Sequence, residues 1–123
     1  MSKRILVVED QADNRRILRD LLGNYGFEVL EAENGAQGVD RAIAEKPDLI
    51  LMDIQMPELD GYDATRQIKK HPIGTNIPII AVTSFALSGD ETKAREAGCD
   101  DYVAKPYSPR ALLAKVIAFV EQV

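Results

Sequence analysis

Cysteine is nearly absent from this chain. Cys99 is the single thiol, so no internal disulfide can form, and the composition suits a reducing compartment. Its simplest role is that of a small buried apolar side chain near a turn. Histidine is equally scarce: His71 follows Lys69 and Lys70 and precedes Pro72. That run closes a helix, sets cations favourably against its dipole and leaves the imidazole as a solvated end residue. Basic residues are in deficit, 15 Lys and Arg against 20 Asp and Glu for a net charge of −5. The chain therefore offers no evident basic face to a phosphate backbone, which argues against direct binding of nucleic acid. An export signal is missing too, because Met1-Ser2-Lys3-Arg4 runs straight into a strand-like segment with neither a long apolar stretch nor a small-residue cleavage site. The expectation is a cytoplasmic protein without membrane attachment. No repeat, low-complexity tract or linker breaks the 123 residues, so residues 1–123 are expected to form one domain around one core.

Short apolar runs alternate with helix-period segments five times, the pattern of repeated βα units around a parallel sheet. Strands are expected near residues 4–9, 27–31, 48–53, 77–82 and 101–104. The first, third and fourth are apolar almost throughout, as central strands covered on both faces should be, while the second and fifth read as edges. Ile17, Leu18, Leu21 and Leu22 form one helical stripe, and Leu112, Leu113, Val116, Ile117 and Val120 another, both read as core faces. Helix boundaries agree with this division. Ser88-Gly89-Asp90-Glu91 reads as a capping box, Ser108-Pro109 as a cap followed by proline at the first helical position, Asp60-Gly61 as a helix start, and Gly26 and Gly98 as helix stops.

In a doubly wound α/β sheet, ligands gather beyond the carboxyl ends of the strands. Glu9 and Asp10 close the first run, Asp53 the third, Thr83 the fourth, and Lys105 follows the fifth. Three carboxylates on one rim repel and push one another toward protonation unless a cation offsets them. Mg2+ suits an oxygen-only set that leaves room for phosphate oxygens, and with neither His nor Cys at the rim a zinc site is disfavoured. With its charge balanced, Asp53 is a nucleophile toward phosphorus, giving an acyl phosphate. Lys105 would neutralise a phosphoryl oxygen, and the Thr83 hydroxyl would donate to another.

These residues resemble the receiver domain of two-component response regulators, the CheY-like superfamily, over the whole chain. The resemblance rests on Ile5 to Asp10, Pro47 through Asp53 to Gly61, Ala81-Val82-Thr83-Ser84, and Gly98 through Lys105 to Pro106. The stretch from Thr83 to Lys105 is most similar to DivK-type single-domain regulators and to hybrid-kinase receivers. The family implies a flavodoxin-like, doubly wound five-stranded parallel sheet of order 2-1-3-4-5 with five helices. It implies that Asp53 is the phosphoacceptor, that Asp10, Asp53 and the backbone carbonyl of Gln55 ligate Mg2+, with Mn2+ as a substitute, and that Glu9 reaches the ion through water. Lys105 resembles the lysine that pairs with the phosphoryl group, Thr83 and Tyr102 the switch residues, and Lys105-Pro106 a cis peptide bond.

The function so implied is a switch, with no external product. A phosphohistidine on a sensor histidine kinase or histidine phosphotransfer protein would donate to Asp53, and a surface of the fourth helix, fifth strand and fifth helix would then change its affinity for a downstream protein. Lys93, Arg95, Tyr107 and Arg110 are candidates for that surface or ordinary solvated side chains. The edge of the first helix bearing Ile17 and Leu18 is the expected donor dock. Gln55 and Phe85 stand where hydrolytic water must pass, and Phe85 either shields the acyl phosphate or is a loop aromatic. Met1 and the ending at Val123 favour a free-standing regulator over a receiver excised from a hybrid kinase or longer regulator, and a monomer or weak dimer is expected, since nothing in the composition demands dimerisation through the fourth and fifth elements. A Mg2+-dependent aspartyl-phosphate phosphatase is a rival, but it needs a second acid where Gln55 stands. A flavin carrier is another, yet Glu9-Asp10-Gln11 would repel its phosphate.

Overall fold

The computed structural model describes residues 2–83 and 90–121. Five strands and five helices alternate along the chain: β1 (Arg4–Val8), α1 (Ala12–Tyr25), β2 (Glu28–Ala32), α2 (Gly35–Glu45), β3 (Leu49–Asp53), α3 (Gly61–Lys70), β4 (Ile79–Thr83), α4 (Asp90–Ala97), β5 (Asp101–Ala104) and α5 (Pro109–Val120). All four strand pairings are parallel, in the order β2-β1-β3-β4-β5. This is the expected flavodoxin-like topology, with β2 and β5 at the edges. Every residue of β3 and β4 is buried, whereas β2 reaches full burial only at Ala32. The fourth strand starts at Ile79, two residues later than expected. Pro78 has no N–H for the ladder and contributes only its carbonyl, which accepts from Ile50 N at 2.9 Å.

Side chains of a strand alternate between faces, and the central strands split the core accordingly. Leu6, Val8, Ile50, Met52, Ile79 and Ala81 pack with Ala42 of α2, Ala64 and Ile68 of α3 and Ala94 of α4. Ile5, Val7, Leu49, Leu51 and Ile80 pack on the other face with Leu18 and Leu22 of α1 and Leu112, Val116 and Val120 of α5. Truncating one of these, such as Ile50 to Ala, should cost about 2–5 kcal/mol. Cys99 is buried in the first cluster. Ile17 departs from the expected core stripe: it is 54% exposed, because the face of α1 that meets the sheet is centred on Leu18 and Leu22.

Caps fix the helix ends. Asp60 accepts from Asp63 N at 2.9 Å and Ser108 from Ala111 N at 3.3 Å. Gly26 and Gly98 take φ of 110° and 109°, the left-handed geometry that stops a helix. Lys69 and Lys70 lie in the last turn of α3, but Lys69 does more than face the dipole: its Nζ meets Asp100 at 3.1 Å and the Ile77 carbonyl at 2.7 Å. The capping box rests on Ser88, and Ser88 and Phe85 lie outside the described residues.

Candidate functional site

The parallel order brings the carboxyl ends of all five strands to one rim. Asp53 is the last residue of β3 and Thr83 the last of β4, while Glu9 and Asp10 follow β1 and Lys105 follows β5. Glu9 and Asp10 sit beside Asp53 because β1 pairs with β3 in the register Val8↔Met52. Lys105 crosses to them from the edge, its backbone N–H donating to the Thr83 carbonyl at 2.6 Å. The Lys105–Pro106 bond is cis.

Carboxylate oxygens of Glu9, Asp10 and Asp53 all lie within 4.8 Å of one another. Glu9 and Asp53 are only 2% and 4% exposed, so their charges have little water to screen them. Lys105 Nζ stands 3.4 Å from Glu9 Oε1 and 3.6 Å from Asp53 Oδ1. One ammonium against three carboxylates leaves the cluster negative. Burial, and next the Asp53 carboxylate beside it, hold the Glu9 carboxyl above its ordinary range. Burial and the neighbouring Glu9 do the same to Asp10, with Lys105 offsetting part of the rise. A hard divalent cation suits this oxygen-only set: it would relieve the repulsion, and Mg2+ needs only one or two carboxylates and otherwise keeps water or phosphate oxygens. Among the described residues, no other group of three His, Cys, Asp or Glu offers such a cluster.

Backbone and amide groups order the acids further. Gln55 N donates to Asp53 Oδ1 at 3.2 Å, and Gln11 N to Glu9 Oε2 at 3.2 Å. The exit from β3 is held tightly against α3, since Gly61 N donates to the Ile54 carbonyl at 3.1 Å. A Cβ on Gly61 would stand 2.3 Å from the Asp53 carbonyl oxygen and 2.7 Å from Ile54 Cα, so only glycine fits beside the acidic strand end.

With this geometry in place the comparisons with known proteins are unambiguous. The family profile described as the response regulator receiver domain matches residues 5–117. The chain belongs to this family. The receiver is 44% identical over 108 residues to the polar-differentiation response regulator DivK of Brucella anthropi, covering 88% of each chain. It superposes with a TM-score of 0.91 on the receiver domain of a sensor histidine kinase from Pseudomonas aeruginosa, solved with a magnesium ion coordinated in its active-site cleft. That pair is 37% identical, over 99% of this chain and 100% of the other. The chemotaxis protein CheY4 of Vibrio cholerae, 22% identical with a TM-score of 0.91 over 97% of this chain and 99% of that one, shares the fold. Receivers of response regulators take phosphoryl groups from histidine kinases and act on downstream targets. No helix among the described residues is long and apolar enough to cross a membrane.

Of the residues singled out from the sequence, Glu9, Asp10, Asp53, Gln55, Thr83 and Lys105 meet at this rim. Tyr102, half-buried on β5, packs against the cluster that contains Ala81 and Ala94. Tyr107 lines a groove of about 600 Å³ with Asn14 and Ile17 of α1 and the turn through Lys105 and Pro106. Burial, then the charge of Glu9, raise its hydroxyl pKa.

Two site contacts were invisible in the sequence. Gln55 Nε2 donates to Thr83 Oγ1 at 2.7 Å, joining the loop after β3 to the end of β4. Arg15 Nη1 donates to the Glu9 carbonyl at 2.9 Å. Neither Gln55 nor Arg15 stands next in sequence to the group it touches, and no local pattern marks such a pair.

Proposed function

We propose that the receiver is a phosphorylation-activated switch in which Asp53 accepts a phosphoryl group from a phosphohistidine. The observation that carries this reading is the buried Asp53 carboxylate, flanked by two further acids within 4.8 Å and faced by Lys105 Nζ at 3.6 Å. An Asp53 oxygen attacks phosphorus in line, the P–N bond to the donor imidazole breaks, and the imidazole leaves with the electron pair. Asp10, Asp53 and the carbonyl of Gln55 would hold Mg2+, or Mn2+ in its place, with Glu9 reached through water. The ion supplies charge compensation for the clustered acids and phosphoryl oxygens. Lys105 holds one phosphoryl oxygen and the Thr83 hydroxyl donates to another.

The Thr83 hydroxyl oxygen accepts from Gln55 Nε2, and a hydroxyl that accepts can donate as well, so drawing Thr83 toward a phosphoryl group moves a side chain that is tied to the loop after β3. This tie couples the chemistry at β3 to β4, and Tyr102 on β5 follows through the core cluster it packs on. The α4-β5-α5 surface is the readout, presented to a downstream protein. Asp53→Glu, which lengthens the acid without phosphorylation, is expected not to accept phosphate.

The donor is a histidine kinase or phosphotransfer protein docking at the groove beside the exposed Ile17 and the half-buried Tyr107. The setting is cytoplasmic, the domain spans residues 1–123, and the chain acts as a monomer or weak dimer. Its likeness to a sensor-kinase receiver also favours a second reading, a receiver belonging to a hybrid kinase. Gln55 stands where an aspartyl-phosphate phosphatase needs its second acid, which supports a switch that turns over only its own phosphate. Incubation with acetyl phosphate, with and without Mg2+, followed by intact mass measurement tests the assignment. Wild type should gain one phosphoryl group in a metal-dependent way and Asp53→Asn none; an adduct on the variant would overturn the reading.

A further inference from the structure

We propose that Arg15 is a positioning residue for the acid cluster: it fixes the peptide joining Glu9 to Asp10, and so aims the Asp10 carboxylate at the place where the cation binds. The inference rests on the reading of the site given above. Arg15 lies in the first turn of α1, its N–H donating to the Gln11 carbonyl at 3.0 Å. Its guanidinium turns back toward the sheet and is largely buried, with 13% of the side chain exposed. Three groups hold it there. Nη1 donates to the Glu9 carbonyl at 2.9 Å, Nε stands 3.5 Å from Glu31 of β2, and Nη2 stands 3.6 Å from Glu33 just beyond that strand. Arg19 shares Glu31 at 3.6 Å.

The Glu9 carbonyl is the pivot between two of the three clustered acids. Its peptide plane sets the direction in which the Asp10 Cα–Cβ bond leaves the chain, so rotating that carbonyl swings the carboxylate. The turn has few other restraints among the described residues. Glu9 N donates to the Ala32 carbonyl at 3.1 Å and Gln11 N to Glu9 Oε2 at 3.2 Å. Gln11, at the N-cap of α1, makes no side-chain capping bond. Arg15 thus supplies a bond to this carbonyl, and only a planar fork serves three acceptors set around it at once. Glu31 and Glu33 balance its charge and fix its orientation, so the end of β2 also bears on the site.

Partners that orient metal ligands without touching the metal typically matter ten- to a hundredfold in affinity. The test titrates Mg2+ into full-length wild type, Arg15→Met and Arg15→Lys, following backbone amide shifts of Asp10 and Gln55, with urea unfolding in EDTA measured alongside. Arg15→Met should remain folded and bind Mg2+ about 10–100-fold more weakly, and Arg15→Lys, which can reach the carbonyl but not all three acceptors, should recover part of the loss. A purely structural role would lower the unfolding midpoint in EDTA and leave Mg2+ affinity unchanged in the folded variant, which would overturn the proposal. If Arg15→Met does not fold, Glu33→Gln decides, because that side chain is 65% exposed and its loss should cost about two- to fivefold in Mg2+ affinity; no change overturns the proposal. Wild type that binds no Mg2+ would sink the reading of the site itself, whereas equal binding by wild type and Arg15→Met sinks this inference alone.

Discussion

Replacing Asp10 by Asn should stabilise the receiver when divalent ions are removed and destabilise it, relative to wild type, when Mg2+ is abundant. The carboxylate oxygens of this cluster lie within 4.8 Å of one another, and at that outer limit two like charges repel by about 1 kcal/mol in bulk water and about 3.5 kcal/mol at the effective dielectric of a protein surface. Asp10 faces two such neighbours, Glu9 and Asp53, and one attractive group, Lys105. It is also partly exposed, so screening takes the lower figure, and the net gain on removing its charge is about 1 kcal/mol. With Mg2+ at about a hundred times the dissociation constant, wild type gains about 2.7 kcal/mol. The variant lacks one of the acids proposed to hold the ion and should gain far less, so the order is expected to invert. Urea unfolding at pH 7, in EDTA and in excess Mg2+, reads both differences. The pH dependence carries the same sign: a carboxyl held above its ordinary value contributes stability that is complete below about 3.8 and is lost as pH rises through the raised value. The advantage of Asp10→Asn in EDTA should therefore shrink as pH falls from 7 toward 4. A variant less stable than wild type in EDTA at pH 7 would refute the claim that these acids are held together against their mutual repulsion.

Gly61→Ala should lower stability by about 2–3 kcal/mol in chemical unfolding, because its Cβ would overlap the Asp53 carbonyl oxygen and Ile54 Cα and backbone cannot step aside as a side chain can. Gln55→Leu removes the donor to Thr83 Oγ1, and a loss of about 1 kcal/mol is expected in EDTA; an unchanged urea midpoint would show that this hydrogen bond contributes nothing net. Cys99 is buried and burial raises its thiol pKa, so a thiol reagent at pH 8 should label it only as fast as the domain opens, and immediate labelling of the native protein would contradict its position in the core.

Much of this molecule is written in one-dimensional pattern. Which strands are central and which are edges follows from which apolar runs are uninterrupted, because a strand buried on both faces has no polar positions, and β3 and β4 show none before their last residues. Asp60 and Ser108 are legible as caps since capping is settled within four residues. Asn34 caps α2 by accepting from Gln37 N at 2.8 Å and carries the same local signal, a short polar side chain just ahead of a helix. Other features depend on distance across the fold. Ile17 belongs to an apolar stripe by spacing, yet the width of the contact with the sheet leaves it in solvent. Tyr107 follows Lys105 and Pro106 into the groove facing α1, a direction that only the path of the loop determines. Arg15 has nothing in its neighbourhood along the chain to reveal that its guanidinium crosses back to the carbonyl of Glu9.

The ion pair between Lys105 and Glu9 joins residues 96 positions apart. The acids at the rim and the one ammonium that faces them arrive from opposite ends of the chain, the ammonium just after an outermost strand. During synthesis, β1 and β3 leave the ribosome long before β5, so a partly made chain carries Asp53 without the Lys105 ammonium that faces it. On the proposed reading, competence to take phosphate reports that the last strand has docked, and a chain stalled before Lys105 should take up no phosphate even with its central strands in place.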